Sequence, residues 1–190
     1  MFYGVGETIR NVISLAYTRV FWRKARLVRM PVFARGRTNI HYGEGLTTGY
    51  NCRISAGQDG KIVFGKNVVM GDYIQIQCGK EITIGDNVLL ASRIYIGDTS
   101  HGRYSGSSQT APSIPPNERE LVSDEIHIGN NVWIGNQVSI LGGCNIGDGC
   151  IIGANSVVTH DLEANSIYAG SPARLIKRWD DSKEQWITVL

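Results

Sequence analysis

The amino-acid sequence reads as an all-β protein, a parallel β-helix of about five coils, on three observations. Stepping by six from Val122 gives Ile128, Ile134, Ile140, Ile146, Ile152 and Val158, seven β-branched aliphatics in register. Four residues after each comes a small or apolar position: Ile126, Val132, Val138, Cys144, Cys150, Ser156 and Leu162. Glycine follows the aliphatic at 129, 135, 147 and 153, with Asn or Asp beside it in Gly129-Asn130-Asn131 and Gly147-Asp148. This period fits neither the alternation of a half-buried strand nor the pitch of a helix. It describes short strands joined by tight turns, each strand sending one large aliphatic inward. Gly, Asn and Asp supply turn backbone that β-branched residues resist. Burying each aliphatic is worth roughly 1.5–3 kcal/mol, so one coil is unstable alone and a stack is not.

The elements follow in order. Residues 1–37 form a basic amphipathic helix and linker: Ile9, Val12, Ile13, Ala16, Tyr17, Val20 and Phe21 fall at helical spacing, with Arg10, Arg19, Arg23, Lys24 and Arg26 between them. Two readings stand: a helix capping the open end of the solenoid, or one resting on anionic lipid. Residues 38–170 form the β-helix. Ile40, Leu46 and Cys52 open it weakly, and Phe64, Met70 and Ile76, then Ile84, Leu90 and Ile96, keep the beat. The register slips by two residues at Gly79-Lys80, an inserted turn, and breaks between Ile96 and Val122, an excursion over about 102–121. Residues 171–190 form a C-terminal segment with a short helix, Ser171-Pro172 serving as N-cap and first turn and Lys177-Arg178-Trp179 lying within it.

Composition narrows the class. The chain has 190 residues, 42% hydrophobic and 19% charged, enough for one domain with a core. Its 23 glycines lack the every-third-residue spacing of collagen. No apolar run is long enough to span a membrane, and no signal-peptide pattern opens the chain. Four cysteines without CxxC spacing suit a reduced, cytoplasmic protein. The net charge of +2 hides an asymmetry: residues 1–37 hold eight Lys/Arg and one acid, Glu7, leaving about −5 on the rest. No recognised nucleic-acid motif accompanies the basic segment.

Four motifs in order carry a family resemblance: Ile84-Gly85-Asp86-Asn87-Val88, Ile128-Gly129-Asn130-Asn131-Val132-Trp133-Ile134-Gly135, Ile152-Gly153-Ala154-Asn155-Ser156-Val157-Val158-Thr159 and Ala169-Gly170-Ser171-Pro172-Ala173-Arg174. Together they resemble the hexapeptide-repeat acyltransferases over about 45–178. Pro112-Ser113-Ile114-Pro115-Pro116-Asn117, in the excursion, is similar to the corresponding stretch of the bacterial lipopolysaccharide and polysaccharide O-acetyltransferases. The resemblance implies a left-handed β-helix, a homotrimer, acetyl-coenzyme A as donor and active sites between subunits.

It also implies roles for particular residues. His101, at the rim where the excursion starts, matches the family's catalytic base, and an imidazole exchanges protons near neutral pH. Many relatives carry a second histidine just upstream, where this chain has Thr99. The Asn136 backbone N–H corresponds to the donor facing the thioester carbonyl, and that of Ala154 to a pantetheine contact. Trp133 walls the groove, Thr159 and His160 lie along the coenzyme, and Arg174 with Lys177 takes its phosphate end. On the acceptor side, Gly71 stands in the family's Asn slot, so Asp72 and Tyr73 become the candidate contacts. No metal is implied, because His101, His127 and His160 lack the close pair a zinc site on this fold would use.

The expected activity is therefore transfer of acetyl from acetyl-coenzyme A to a sugar hydroxyl in surface polysaccharide or lipopolysaccharide synthesis. The acceptor is a saccharide or lipid-linked saccharide, met in the cytoplasm or at the inner membrane face. Two alternatives stay open: acetylation of an antibiotic hydroxyl or a nucleotide-sugar amine, and a non-catalytic scaffold.

Overall fold

Strands of two to five residues cannot persist unless both edges are paired, and stacking supplies those pairs. In the computed structural model, which describes residues 4–189, three parallel sheets wrap one core. Met1–Tyr3 and Leu190, the outermost residues of the expected terminal segments, lie outside the described residues. The first face stacks Leu27–Val28, Thr47–Thr48, Val69–Met70, Leu89–Leu90, Trp133–Ile134, Ile151–Ile152 and Ser166–Ala169. The second stacks six strands from Val32–Arg35 to Val157–Val158, and the third five from Ile40–Tyr42 to Asn145–Ile146. A bridge between Ile146 and Leu162 closes the third side of a sixth coil. The stack thus begins at Leu27 and holds six coils where the sequence suggests about five. The sequence reading places this coil in the linker, although Val28 lies two six-residue steps before Ile40 and both are buried, because Arg26, Arg29 and Arg35 interrupt the apolar pattern around it.

The beat defines the core. Ile128, Ile134, Ile140, Ile146, Ile152 and Val158 are all buried, as are the second positions from Ile126 to Leu162. Val122 is the exception. It belongs to Leu121–Ser123, which pairs antiparallel with Thr99–His101 to form the neck of the excursion. The Gly79-Lys80 insertion has a purpose at that neck: the buried Asp98 carboxylate accepts both backbone N–H groups, at 2.7 and 2.8 Å.

The corners are held by side-chain ladders. Where the first face turns into the second, Tyr50 N–H donates to Asp72, Asp72 N–H to Ser92, and Ser92 N–H to Asn136, at 2.7, 3.0 and 2.9 Å. Where the third face returns to the first, Lys66, Asp86 and Asn130 donate in the same way to Asp86, Asn130 and Asp148. The next residue at these corners is left-handed, for example Asn67, Asn87 and Asn131 at φ 55–57°. Asn tolerates that region, and here its amides also bond one another up the stack.

The C-terminal segment is a correction to the expected helix. Arg174–Asp180 and Gln185–Thr188 are antiparallel strands that extend the first face, with Trp179 and Trp186 edge to face at 5.4 Å. Ser171-Pro172, joined by a cis bond, starts a turn and no helix. The physical reason is the strand edge at Ser166–Ala169: a helix would leave its N–H and C=O groups open, and a strand pairs them.

All four cysteines are free and buried. Burial pushes the Cys52, Cys144 and Cys150 thiols up to about 11 and that of Cys78 to about 12, from an ordinary 9.0. At pH 8 a disulfide reagent should therefore label less than one thiol per native chain and all four in denaturant. Because the folded-state values are raised, this contribution to stability is complete below about pH 9 and declines above it as the unfolded chain ionises first. Chemical denaturation at pH 8 and pH 10.5 checks the sign.

Candidate active site

The candidate residues fall into two groups on different corners of the prism. His101 lies in Thr99–His101, at the corner between the second and third faces, where the excursion leaves. Thr159 and His160 follow Val157–Val158 at the same corner, two coils higher. Trp133 lies on the first face, and Asn136 and Ala154 on the corner between the first and second faces. The width of the second face separates the groups within one chain. Thr159 and His160 therefore do not share a track with Ala154 on the same protomer.

His101 is exposed, and its orientation is fixed on one side. Its Nδ1 lies 3.2 Å from the Pro116 carbonyl. A carbonyl only accepts, so Nδ1 carries the hydrogen and Nε2 is left as the acceptor nitrogen. Pro116 comes from a short 3-10 turn, Pro116–Glu118, inside the excursion. Arg119 braces that loop. Its guanidinium donates to the Ile114 carbonyl at 2.9 Å and to the Tyr104 hydroxyl at 2.7 Å, and reaches the Pro112 carbonyl at 3.4 Å. The Tyr104 hydroxyl in turn donates to the His101 carbonyl. Sequence reasoning missed Arg119. No periodicity marks a residue whose partners are loop carbonyls.

The Asn136 N–H is open for a reason legible in the stack. The ladder Tyr50–Asp72–Ser92–Asn136 needs a side-chain oxygen one coil further on, and that position is Ala154. Alanine has none, so no acceptor among the described residues takes the Asn136 N–H, and the Ala154 N–H is equally free. Gly135 keeps the coils close here, since a Cβ on it would sit 2.7 Å from the Ala154 nitrogen. The second ladder ends the same way at Ala164, above Asp148. An open N–H alone thus marks no site; its company does. Trp133, half exposed, stands on the strand that leads into Asn136. Register partners run Trp133–Ile151–Ile167–Lys177 up the first face, three strand spacings or about 14 Å. Ile176 is the extra residue of a β-bulge, so Arg174, paired with Ala169, and Lys177, paired with Ile167, point to one side. The shared face expected of a helix is thus achieved by a bulged strand.

Asp72 and Tyr73 line the same corner groove as Asn136, with Ser92, Arg93 and Gln137 between and beside them. Asp72 is a ladder residue, its carboxylate accepting the Tyr50 N–H. Tyr73 is half exposed in a left-handed turn. His127 is held by Thr83 at 2.7 Å and faces Glu125 at 3.4 Å. Among the described residues no three His, Cys, Asp or Glu side chains converge.

A stacked six-residue β-helix with an excursion after the fourth coil's second strand, and a histidine at its root, is the architecture of a transferase class, and comparison agrees. The pattern described as bacterial transferase hexapeptide (six repeats) matches residues 125–160. WbbJ of Escherichia coli K12, provisionally named a lipopolysaccharide biosynthesis O-acetyl transferase, is 39% identical over 97% of this chain and 94% of its own. The galactoside O-acetyltransferase of the same organism is 33% identical over 84% of this chain and 64% of its own. Among solved structures, AntD, an N-acyltransferase from Bacillus cereus, shares the fold with a TM-score of 0.69 at 24% identity, covering 84% of both chains. The chain belongs to the hexapeptide-repeat acyltransferase family. It is an acetyltransferase.

Proposed function

We propose that the protein transfers acetyl from acetyl-coenzyme A to a sugar hydroxyl of a surface polysaccharide or lipopolysaccharide precursor, in sites shared between subunits of a homotrimer. The observation that carries the chemistry is the Pro116 carbonyl on His101 Nδ1, which leaves Nε2 as a base. In this reading Nε2 removes the acceptor hydroxyl proton as that oxygen attacks the thioester carbon. The tetrahedral oxyanion sits against the Asn136 N–H. Collapse breaks the carbon–sulfur bond, and the departing thiolate takes the proton back from Nε2, releasing coenzyme A and the acetyl ester. Trp133 walls the acyl end, Ala154 contacts the pantetheine, and Arg174 with Lys177 receives the phosphates. Thr159 and His160 of the neighbouring protomer complete the coenzyme track, and Asp72 with Tyr73 faces the sugar. The saccharide class is supported by the names of two E. coli relatives, both O-acetyltransferases, one of lipopolysaccharide synthesis and one of galactosides. A cytoplasmic location at the inner membrane face fits a lipid-linked acceptor.

His101→Ala should lower kcat by about 10²–10⁴ with melting unchanged, read as thiol release with a panel of sugars and lipid-linked oligosaccharides. A loss under tenfold in the folded variant would sink the base role. A panel in which only amines respond would move the reaction to N-acetylation.

Ala154→Asn extends the ladder and gives the Asn136 N–H an acceptor. The expected result is opposed: stability rises by about 0.5–1.5 kcal/mol, and kcat falls by about 10²–10³. Denaturant midpoints and turnover on one preparation measure both. Refolding His101→Ala together with Ala154→Asn chains should restore about a quarter of native activity, because one site in four then draws an intact half from each of two protomers. No recovery would mean that each site lies within one chain.

Arg119→Ala should lower kcat by about tenfold to a hundredfold while the KM for acetyl-coenzyme A and the melting temperature hold, with Arg119→Lys recovering part of the rate. A loss confined to thermal stability would make Arg119 a structural brace only.

A further inference from the structure

The N-terminal helix, Val5–Phe21, is mounted inside out. Its buried residues are polar: Thr18 Oγ1 accepts the Val28 N–H at 2.8 Å, and Ser14 Oγ accepts the Met30 N–H at 3.0 Å. Asn11 joins them, its Oδ1 accepting from Arg29 at 3.3 Å and from the Tyr50 hydroxyl at 3.1 Å. The open end of the solenoid is closed by Trp22, fully buried one residue past the helix beneath the Arg37 guanidinium at 3.4 Å from its ring centre. The helix thus covers the open edge of the first coil with hydroxyls and a half-buried Tyr17, and most of its aliphatic residues take no part in that contact.

Those residues face away from the body. At 100° per residue, Val12, Val5, Ala16, Ile9, Val20 and Ile13 occupy one arc about 100° wide, opposite Ser14 and Thr18 and without a charge inside it. The large ones are among the most exposed apolar side chains of the molecule, from 55% at Ile13 to 81% at Val5. Such a stripe is larger and more continuous than the scattered apolar residues of an ordinary surface. Cations border it: Arg10 and Arg19 lie on its flanks, and Arg23, Lys24 and Arg26 follow its C-terminal end.

We propose that this helix lies in the surface of an anionic lipid bilayer, apolar arc in the acyl boundary and flanking arginines among the headgroups. Charge selects the occupant. The first 37 residues carry eight Lys/Arg against Glu7, while the remainder is net acidic by about five, so an anionic bilayer attracts this end and repels the other. A symmetric contact with a second copy's helix would instead bring two cationic clusters together. The consequence is orientation: the first coil faces the bilayer and the solenoid axis points away from it. The proposal stands on the helix and does not depend on the catalytic reading.

The test is sedimentation of the full chain with vesicles of phosphatidylcholine containing about 30% phosphatidylglycerol, beside pure phosphatidylcholine. The protein should pellet with the anionic vesicles, at least about tenfold more weakly with the neutral ones, and release as salt is raised. Ile9→Glu with Val12→Glu, both exposed and outside the docking bonds, should weaken binding by about a hundredfold, with melting, oligomeric state and thiol release on a water-soluble sugar unchanged. Arg19→Gln with Lys24→Gln should remove the preference for anionic lipid. Failure of the native chain to bind anionic vesicles, or binding unaffected by the two glutamates, overturns the proposal. So does dissociation of the oligomer by those glutamates, which would assign the face to a second copy of the chain.

Discussion

Everything in this molecule depends on the vertical bond at the corner. A coil of three two- to five-residue strands has no internal sheet hydrogen bonds; each strand pairs only with the coils above and below. The faces supply backbone pairs, and corner residues such as Tyr73 and Gln137 still donate to the Tyr50 and Ser92 carbonyls, but one N–H at each of these corners has no backbone partner. There a side-chain oxygen from the next coil takes the N–H, as Asp72, Ser92 and Asn136 do on one corner and Asp86, Asn130 and Asp148 on another. Buried aliphatics give the stack its driving force, and the corner bonds fix its register, since a coil shifted by one residue would lose both.

That regularity also explains how a donor can be left open by omission. Where every corner N–H has an acceptor, a residue without one exposes a donor already fixed in place by the coil around it. Ala154 does this above Asn136. A preorganised donor costs no rearrangement when charge develops on a substrate oxygen, and the local sacrifice is one hydrogen bond worth about 1 kcal/mol. The excursion solves the complementary problem. A histidine on a face would have its ring set by the stack; on the neck, its ring is set by a carbonyl from the loop, and the loop is set by Arg119 and Tyr104.

Legibility followed the repeat. The inward column from Ile128 to Val158, the inserted turn at Gly79-Lys80 and the excursion could be read because each is a statement about period. Val122 was drawn into the beat by spacing alone; pairing with Ser100 removed it, and no single-residue property of valine distinguishes a neck from a column. The C-terminal segment was misread because Ser171-Pro172 carries a local signal for a helix start, whereas the open edge of Ser166–Ala169 is a long-range demand that sequence does not display. The candidate residues were named from motifs, but their division between two corners is a property of the stack: Thr159 and Ala154 are five apart in sequence and lie across a face from each other.

The inverted helix belongs to the same logic of separated roles. Amphipathic spacing reports only that a helix has an apolar side; it does not say which side meets the protein. In this chain the body offers the helix unpaired backbone donors at Val28 and Met30, because the first strand has no coil beneath it, and hydroxyls satisfy them better than aliphatics can. The first coil therefore selects the polar side for docking, and the apolar side is left facing outward as a consequence of closing the stack. An end that needs hydroxyls for closure and presents aliphatics beyond them gains a second surface without adding an element to the fold.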